Sequence, residues 1–101
     1  LVMGLTFKEN VKDIRNSKSF DVVASLNKKK LNVDCYDKNV TPLEIKNKKI
    51  QLISTLKKNY YDGVLILVAH KHIRDLGEKK IKKLIKNNGF IFDFKNTFKS
   101  L

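Results

Sequence analysis

The chain has 101 residues, 42% of them hydrophobic, and this length suits one domain around a single core. Its one cysteine, Cys35, excludes a disulfide framework or a cysteine-based zinc site and fits a reducing, cytoplasmic compartment. No apolar run approaches the roughly 20 residues of a membrane helix. The 22 basic against 10 acidic residues give a net charge of +12, which favours anionic partners, although AT-rich codon usage also produces a lysine-rich surface.

The first half of the chain alternates apolar runs with segments of helical period. Residues 1–5 predict a buried strand, and residues 6–16 predict a polar loop. Ser17 is the predicted N-cap of a helix over residues 18–30. A second strand is expected over residues 32–36. Because the chain opens inside an apparent core strand, we expect it to be a piece of a longer protein.

The second half continues this alternation. Thr41 and Glu44 have capping-box spacing, which predicts a helix at 42–48. Gly89, after two asparagines, is expected to end the last helix. The other predicted elements are a strand at 50–53, a turn or short helix at 54–59, a strand at 64–69, a helix at 73–87 and a strand at 90–94.

This order predicts an α/β, Rossmann-like three-layer domain with a mostly parallel sheet covered on both faces. Ligands of such sheets bind at the carboxyl ends of the strands. The loop after the first strand carries Lys8, Lys12 and Arg15, which suit a phosphate-bearing small ligand. The loop lacks the glycine fingerprint of a dinucleotide site, so NAD is not expected to bind it in the Rossmann manner.

Other chemistry-bearing residues favour structural roles. Asp37 and Asp93 follow different strands and are interpreted as turn or cap acids. His70 and His72 lack nearby acidic or cysteine partners, so no metal site is predicted, although His70 falls at the ligand edge. Cys35 lies inside a strand and is interpreted as a buried, inert thiol rather than a nucleophile.

Two further functions stay open at this point. Lysines flank Ile81 on the last predicted helix and suit a basic nucleic-acid-binding module, but they also suit the wet face of an amphipathic helix. RNA-binding modules usually carry a pattern of aromatic residues that stack on bases, and this sequence shows no such pattern. No nucleic acid is therefore expected as a partner. A purely structural assembly domain is the other alternative.

Residues 4–18, GLTFKENVKDIRNSK, resemble the start of the C-terminal, UDP-binding domain of the UDP-glucose/GDP-mannose dehydrogenase family. Residues 33–37, 61–70 and 90–95 resemble further segments of that domain in register, so the resemblance spans the chain. The amino acids at positions 9–11 and 69–70 most resemble those at the same places in enzymes that act on UDP-N-acetylhexosamines.

The resemblance implies an NAD-dependent UDP-sugar 6-dehydrogenase of polysaccharide biosynthesis, active as a homodimer or higher homo-oligomer. Its NAD-binding and central domains, with the catalytic cysteine, lie outside residues 1–101, so the isolated chain is expected to be inactive. Within the chain, the resemblance implies that Phe7, Lys8 and Lys95 bind the UDP-sugar and that Arg15 reaches the NAD phosphates. Lys8, Arg15 and Lys95 all follow predicted strand ends, so we expect a parallel sheet to bring these three cations together at one edge. Lys95 often corresponds to an arginine in the family, so it keeps the charge without the bidentate fork.

Overall fold

A computed structural model describes residues 1–98 and residue 101. Its five strands form one sheet in the order β3-β2-β1-β4-β5, and every neighbouring pair is parallel. The strands are β1 (Val2–Met3), β2 (Asp34–Tyr36), β3 (Gln51–Leu52), β4 (Tyr61–Ile66) and β5 (Ile85–Asp93). The helices are α1 (Lys18–Lys28), α2 (Lys71–Arg74) and α3 (Gly77–Lys82), with a 3₁₀ turn at Pro42–Ile45.

Helices lie on both faces of the sheet, which confirms the predicted three-layer α/β class. On one face, Val23 of α1 packs in a core cluster with Val2 and Cys35. On the other face, Ile73 of α2 and Ile81 of α3 pack in a second cluster. This arrangement buries the short central strands from both sides, as their near-continuous apolar sequences indicated.

The predicted cover is wrong at the edge strand β5. Phe90, Phe92 and Phe94 are 59%, 47% and 61% exposed, whereas the intervening Ile91 packs against the core on the α2–α3 side. The strand therefore leaves its α1-side face open to solvent. That open face forms one wall of the cleft described below.

The last predicted helix differs most from the structure. Gly77 has a φ of +80°, and this left-handed conformation separates α2 from α3. Helix α3 ends at Lys82, and Gly89 lies inside β5 instead of ending a helix. The register from Tyr61↔Ile85 to Gly63↔Phe90 is irregular, so the asparagine-glycine segment forms a bulge in the strand.

The Thr41–Glu44 pair also departs from its prediction. The Thr41 hydroxyl donates to Glu44 Oε1 at 3.1 Å and makes no hydrogen bond to the backbone of the turn. The segment is a four-residue 3₁₀ turn and not a longer helix. Residues 54–59 form turns without a helix. Ser17, by contrast, is confirmed as the N-cap of α1, since its hydroxyl accepts from Ser19 N at 3.3 Å.

Candidate functional site

Residues 6–16, here called the ligand loop, follow β1 at the carboxyl edge of the sheet. Gly4 begins the turn into the loop with a φ of +94°, and an added Cβ there would overlap the backbone oxygen of Val68. The Phe7 amide donates to the Asp13 carbonyl at 2.7 Å, which closes the loop on itself. Asn10 and Asn16 take left-handed conformations that asparagine tolerates better than most residues. The loop therefore has a defined shape rather than that of a loose charged segment.

His70 connects this loop to the rest of the carboxyl edge. Its side chain is 1% exposed, and its Nε2 lies 3.0 Å from Asp37 Oδ2 and 3.0 Å from the Thr6 hydroxyl. Its Nδ1 accepts from the backbone amide of Asn10 at 2.8 Å. Asn10 Oδ1 in turn accepts from the amide of Lys71 at 2.8 Å. The ends of β2 and β4 thus hold the ligand loop through one buried imidazole.

Asp37 is the charged member of this cluster. Burial opposes its ionisation, but hydrogen bonds from His70, Leu5 and Asn39 outweigh that effect and hold the pKa of Asp37 below its usual value. Leu5 N donates to Oδ2 at 2.7 Å, and Asn39 N donates to Oδ1 at 2.8 Å. The interpretation of Asp37 as a turn acid is confirmed, with the added contact to His70.

A cleft of about 440 Å³ opens between the ligand loop, α1 and the exposed face of β4 and β5. It brings together Phe7, Lys8 and Lys95, which come from opposite ends of the sequence. Its volume falls in the range of small-molecule sites. The full lining consists of Thr6, Phe7, Lys8, Glu9, Asn16, Lys18, Ser19, Val22, Leu65, Leu67, Val68, Phe92, Phe94 and Lys95.

The lining combines apolar walls with a cationic rim. Phe7, Phe92 and Phe94 supply aromatic surface, while three lysines and one acid supply the charge. That acid, Glu9, lies 4.0 Å from the guanidinium of Arg74. The cleft can therefore accept a flat, partly apolar group together with an anion.

Lys95 reaches the cleft from the turn after β5. Asp93 Oδ2 accepts from the amide of Phe98 at 2.7 Å, and the amide of Asn96 donates to the Asp93 carbonyl at 3.0 Å. These two bonds fix the turn that carries Lys95. The interpretation of Asp93 as a turn acid is confirmed.

Arg15 is not brought into this cleft. Its side chain is 84% exposed and binds Asp13 through two hydrogen bonds, Nε to Oδ1 and Nη2 to Oδ2, each 3.0 Å long. Hydrogen bonds from the Arg15 side chain and backbone lower the pKa of Asp13. Of the three cations expected at one edge, Lys8 and Lys95 share the cleft, and Arg15 projects from the ligand loop outside its lining.

The remaining candidate residues, Cys35 and His72, lie in surroundings that favour structural roles. Cys35 is fully buried, and desolvation raises the pKa of its thiol to about 12, which confirms it as a buried thiol with little thiolate at neutral pH. His72 Nε2 accepts from the amide of Lys38 at 3.1 Å, and its ring stacks on that of His70 with centroids 5.4 Å apart. Among residues 1–98 and 101, no three His, Cys, Asp or Glu side chains group as metal ligands. Within the same residues, no helix has the length and apolarity needed to cross a membrane.

A second groove of about 450 Å³ lies on the other side of α1. It is lined by Phe20, Val23, Ala24, Asn27, Lys28, Lys48, Lys49 and Ile50. These residues belong to α1 and to the segment that enters β3, whereas the first cleft is built at the carboxyl ends of the strands. Size alone does not separate the two, but ligands of parallel sheets bind at the carboxyl edge.

Sequence reasoning missed the link between His70, Asp37 and Asn10. Asp37 is interpreted from the sequence as a turn or cap acid after the second strand, and only His70 is placed at the ligand edge. The signal was available in part, because side chains after parallel strands converge at one edge. The sequence does not show that β2 and β4 lie on either side of β1. This strand order decides which of those side chains meet.

A comparison with known protein families identifies a match over nearly the whole chain. The matching family model is described as "UDP-glucose/GDP-mannose dehydrogenase family, UDP binding domain", and it covers residues 1–100. The match includes the ligand loop and the turn carrying Lys95, so both parts of the cleft lie inside the matched region.

Three curated relatives support the same assignment. Two are named UDP-N-acetyl-D-glucosamine 6-dehydrogenase: that of Pseudomonas aeruginosa is 36% identical over 96 residues, and that of Salmonella typhi is 34% identical over 96 residues. Protein CapL of Staphylococcus aureus is 36% identical over 100 residues. The matches cover 94% to 98% of this chain but only 23% of each relative. The chain thus spans about a quarter of the length of these relatives, and it belongs to the UDP-glucose/GDP-mannose dehydrogenase family, in which it corresponds to the UDP-binding domain.

Proposed function

We propose that this chain is the UDP-binding domain of an NAD-dependent dehydrogenase that oxidises C6 of a UDP-N-acetylhexosamine. One structural observation carries the proposal: Phe7, Lys8 and Lys95, which the family resemblance implies as ligand contacts, line a single cleft at the carboxyl edge of the sheet. Relatives named as UDP-N-acetyl-D-glucosamine 6-dehydrogenases support the choice of sugar class.

The chemistry of the cleft suits a uridine diphosphate. An aromatic wall offers a stacking surface for a base, and such stacking contributes about 1–3 kcal/mol per base in other proteins. Lys8 and Lys95 supply positive charge to the diphosphate, and a charge-assisted hydrogen bond contributes roughly 1.5–3 kcal/mol. The domain would bind and orient the substrate, while the oxidation takes place on groups from elsewhere in the enzyme.

In this proposal NAD is held mainly by a part of the enzyme outside the chain. NAD accepts the hydride from the sugar when bound. Arg15 retains three of its five N–H donors after pairing with Asp13, so its exposed guanidinium is suited to a phosphate of NAD. Cys35 is unsuited to covalent catalysis, because it is buried and its thiol pKa is raised to about 12. The isolated chain should therefore bind UDP without reducing NAD.

For the whole enzyme, the family resemblance favours a cytoplasmic homodimer or higher homo-oligomer that serves polysaccharide biosynthesis. The alternative of a basic nucleic-acid-binding module gains no support from the family match or from these three relatives.

Calorimetric titration of the chain with UDP tests the proposal. Lys8→Gln and Lys95→Gln should each weaken UDP binding by about 10- to 100-fold, because each removes one charge-assisted contact. Lys80→Gln is the matched control, since Lys80 is exposed on α3 at the opposite face. Equal affinities for all four proteins would contradict the assignment of the cleft, and failure of the unchanged chain to bind UDP would contradict the binding function.

A further inference from the structure

The contacts of the buried His70 imidazole indicate which of its two ring nitrogens carries the hydrogen. The backbone amide of Asn10 is an unambiguous donor, and it points at Nδ1 from 2.8 Å. Nδ1 must therefore carry a lone pair and not a hydrogen. The amide group of Asn39 lies 3.1 Å from the same nitrogen and is consistent with a second donor there.

The hydrogen of the neutral ring then belongs on Nε2. Nε2 lies 3.0 Å from both Asp37 Oδ2 and the Thr6 hydroxyl oxygen, so its hydrogen faces these two acceptors. The Thr6 hydroxyl donates its own hydrogen to the carbonyl of Lys8 at 2.9 Å, so it is free to accept from Nε2. The carboxylate of Asp37 is itself fixed by the amides of Leu5 and Asn39. The series runs from an anchored carboxylate through His70 to the carbonyl of Lys8 and the backbone amide of Asn10.

We infer that His70, as the neutral tautomer with its hydrogen on Nε2, is the positioning residue of the UDP site: it fixes the ligand loop in the shape that presents Phe7 and Lys8 to the cleft. His70 itself does not line the cleft and acts through Thr6 and Asn10. This inference rests on the proposed UDP-binding function. It assigns to His70 a role in ligand affinity beyond that of a packed core residue.

Two substitutions separate the two nitrogens of the ring. In His70→Gln the amide group falls near the place of Nε2, which keeps a donor for Asp37 but leaves the Asn10 amide without its acceptor. In His70→Asn the amide oxygen falls near the place of Nδ1, which restores an acceptor for the Asn10 amide. The matched control is His72→Gln, because His72 stacks on His70 but bonds the amide of Lys38 outside the ligand loop.

The test measures UDP affinity by calorimetry for the unchanged chain and these three variants. We expect His70→Gln to weaken binding about tenfold or more, and His72→Gln to stay within twofold of the unchanged chain. His70→Asn should recover part of the loss, because the Asn10 amide regains its acceptor while Asp37 and Thr6 are left without the Nε2 donor. If the unchanged chain binds UDP and a folded His70→Gln variant binds equally well, the positioning role fails while the proposed function survives. If the unchanged chain does not bind UDP, the proposed function fails and this inference fails with it.

Nitrogen-15 NMR of the unchanged chain keeps the test decisive if a His70 variant does not fold. The ring nitrogen shifts should report hydrogen on Nε2 and none on Nδ1. A scalar coupling across the hydrogen bond should connect the Asn10 amide nitrogen with His70 Nδ1. A ring with its hydrogen on Nδ1, or no such coupling, would overturn the inference without any substitution.

Discussion

Asp37 shows how one residue can make the ligand loop depend on pH. Its carboxylate is buried and accepts from His70, Leu5 and Asn39, and its pKa lies below the usual value. A carboxyl group with a lowered pKa in the folded state stabilises that state above the unfolded pKa of about 4, and the contribution disappears as the pH falls through the folded pKa.

We therefore expect the free energy of unfolding to fall in acid, from about pH 4 downwards, as Asp37 takes up a proton. Asp37→Asn should remove part of this acid dependence and should lower stability at neutral pH by about 1–3 kcal/mol, since an amide cannot accept all the donors around it. Urea unfolding at a series of pH values measures both effects.

Asp13→Asn is the matched control for this series. Its pKa is also lowered, by hydrogen bonds from Arg15, but the pair is exposed and should contribute little to stability. Equal losses of unfolding free energy in the two variants would contradict the claim that the buried Asp37 contributes more to stability than the exposed Asp13.

At the same scale, the sequence predicted which residues lie near one another at the carboxyl edge better than it predicted their side-chain partners. Lys8 and Lys95 share a cleft, as the convergence of strand ends indicated. Arg15 was expected beside them but pairs with Asp13 two residues away, because a local carboxylate is always within reach of its side chain. The motif indicates which residues lie at the edge, but it does not show that the Arg15 side chain pairs with Asp13 instead of turning toward the cleft.

At the scale of elements, the β1–ligand loop junction depends on backbone conformation at Gly4. Its φ of +94° is costly for other residues, and the close approach of the Val68 backbone leaves no room for a Cβ. Gly77 has a similar φ of +80°, but the Cβ that alanine would add meets no atom of the described residues within 4 Å other than its chain neighbours and the nearby backbone of its own helix. The two glycines separate conformational strain from steric overlap.

Gly4→Ala should therefore destabilise the chain by more than Gly77→Ala, which carries only a left-handed strain of about 1–2 kcal/mol. Thermal or urea unfolding of both variants gives the comparison. Similar losses, or a larger loss for Gly77→Ala, would show that the backbone contact at Gly4 is not as close as described.

The elements were predictable to the extent that one local signal dominated. The Ser17 cap and the apolar strand cores predicted α1 and the parallel sheet correctly. The helix predicted after residue 82 was wrong, because Asn-Gly is typical of both a helix end and a bulge in a strand. Only the pairing with β4 selects the bulge. The exposure of Phe90 and Phe92 on β5, and of Phe94 directly after it, was also unexpected, since apolar sequence alone does not show which face a neighbouring helix covers.

At the scale of the whole molecule, the charge of +12 raises the question of whether binding is specific or only electrostatic. A cationic surface that binds any polyanion gives an affinity that falls steeply with salt, because binding releases many counterions from the polyanion. The cleft proposed for UDP instead has three lysines and one acid beside aromatic walls. Its binding should therefore combine a limited charge contribution with an apolar one.

We predict that UDP affinity falls only modestly between low and physiological salt, and that uridine retains measurable affinity through the aromatic wall. Titrations with UDP and uridine at several salt concentrations test this, with inorganic pyrophosphate as the control for charge alone. If pyrophosphate binds as tightly as UDP, and both affinities fall steeply with salt, the surface binds anions in general and has no specific site for UDP.

Chemical-shift mapping of UDP on the nitrogen-15-labelled chain tests the central claim most directly, because it reports the location of binding residue by residue. The account predicts that the largest changes occur in the amides of residues 6–9, 16–19 and 92–95, around the cleft that holds Phe7, Lys8 and Lys95. Changes centred instead on Phe20, Asn27 and Ile50, in the groove on the other side of α1, would contradict it.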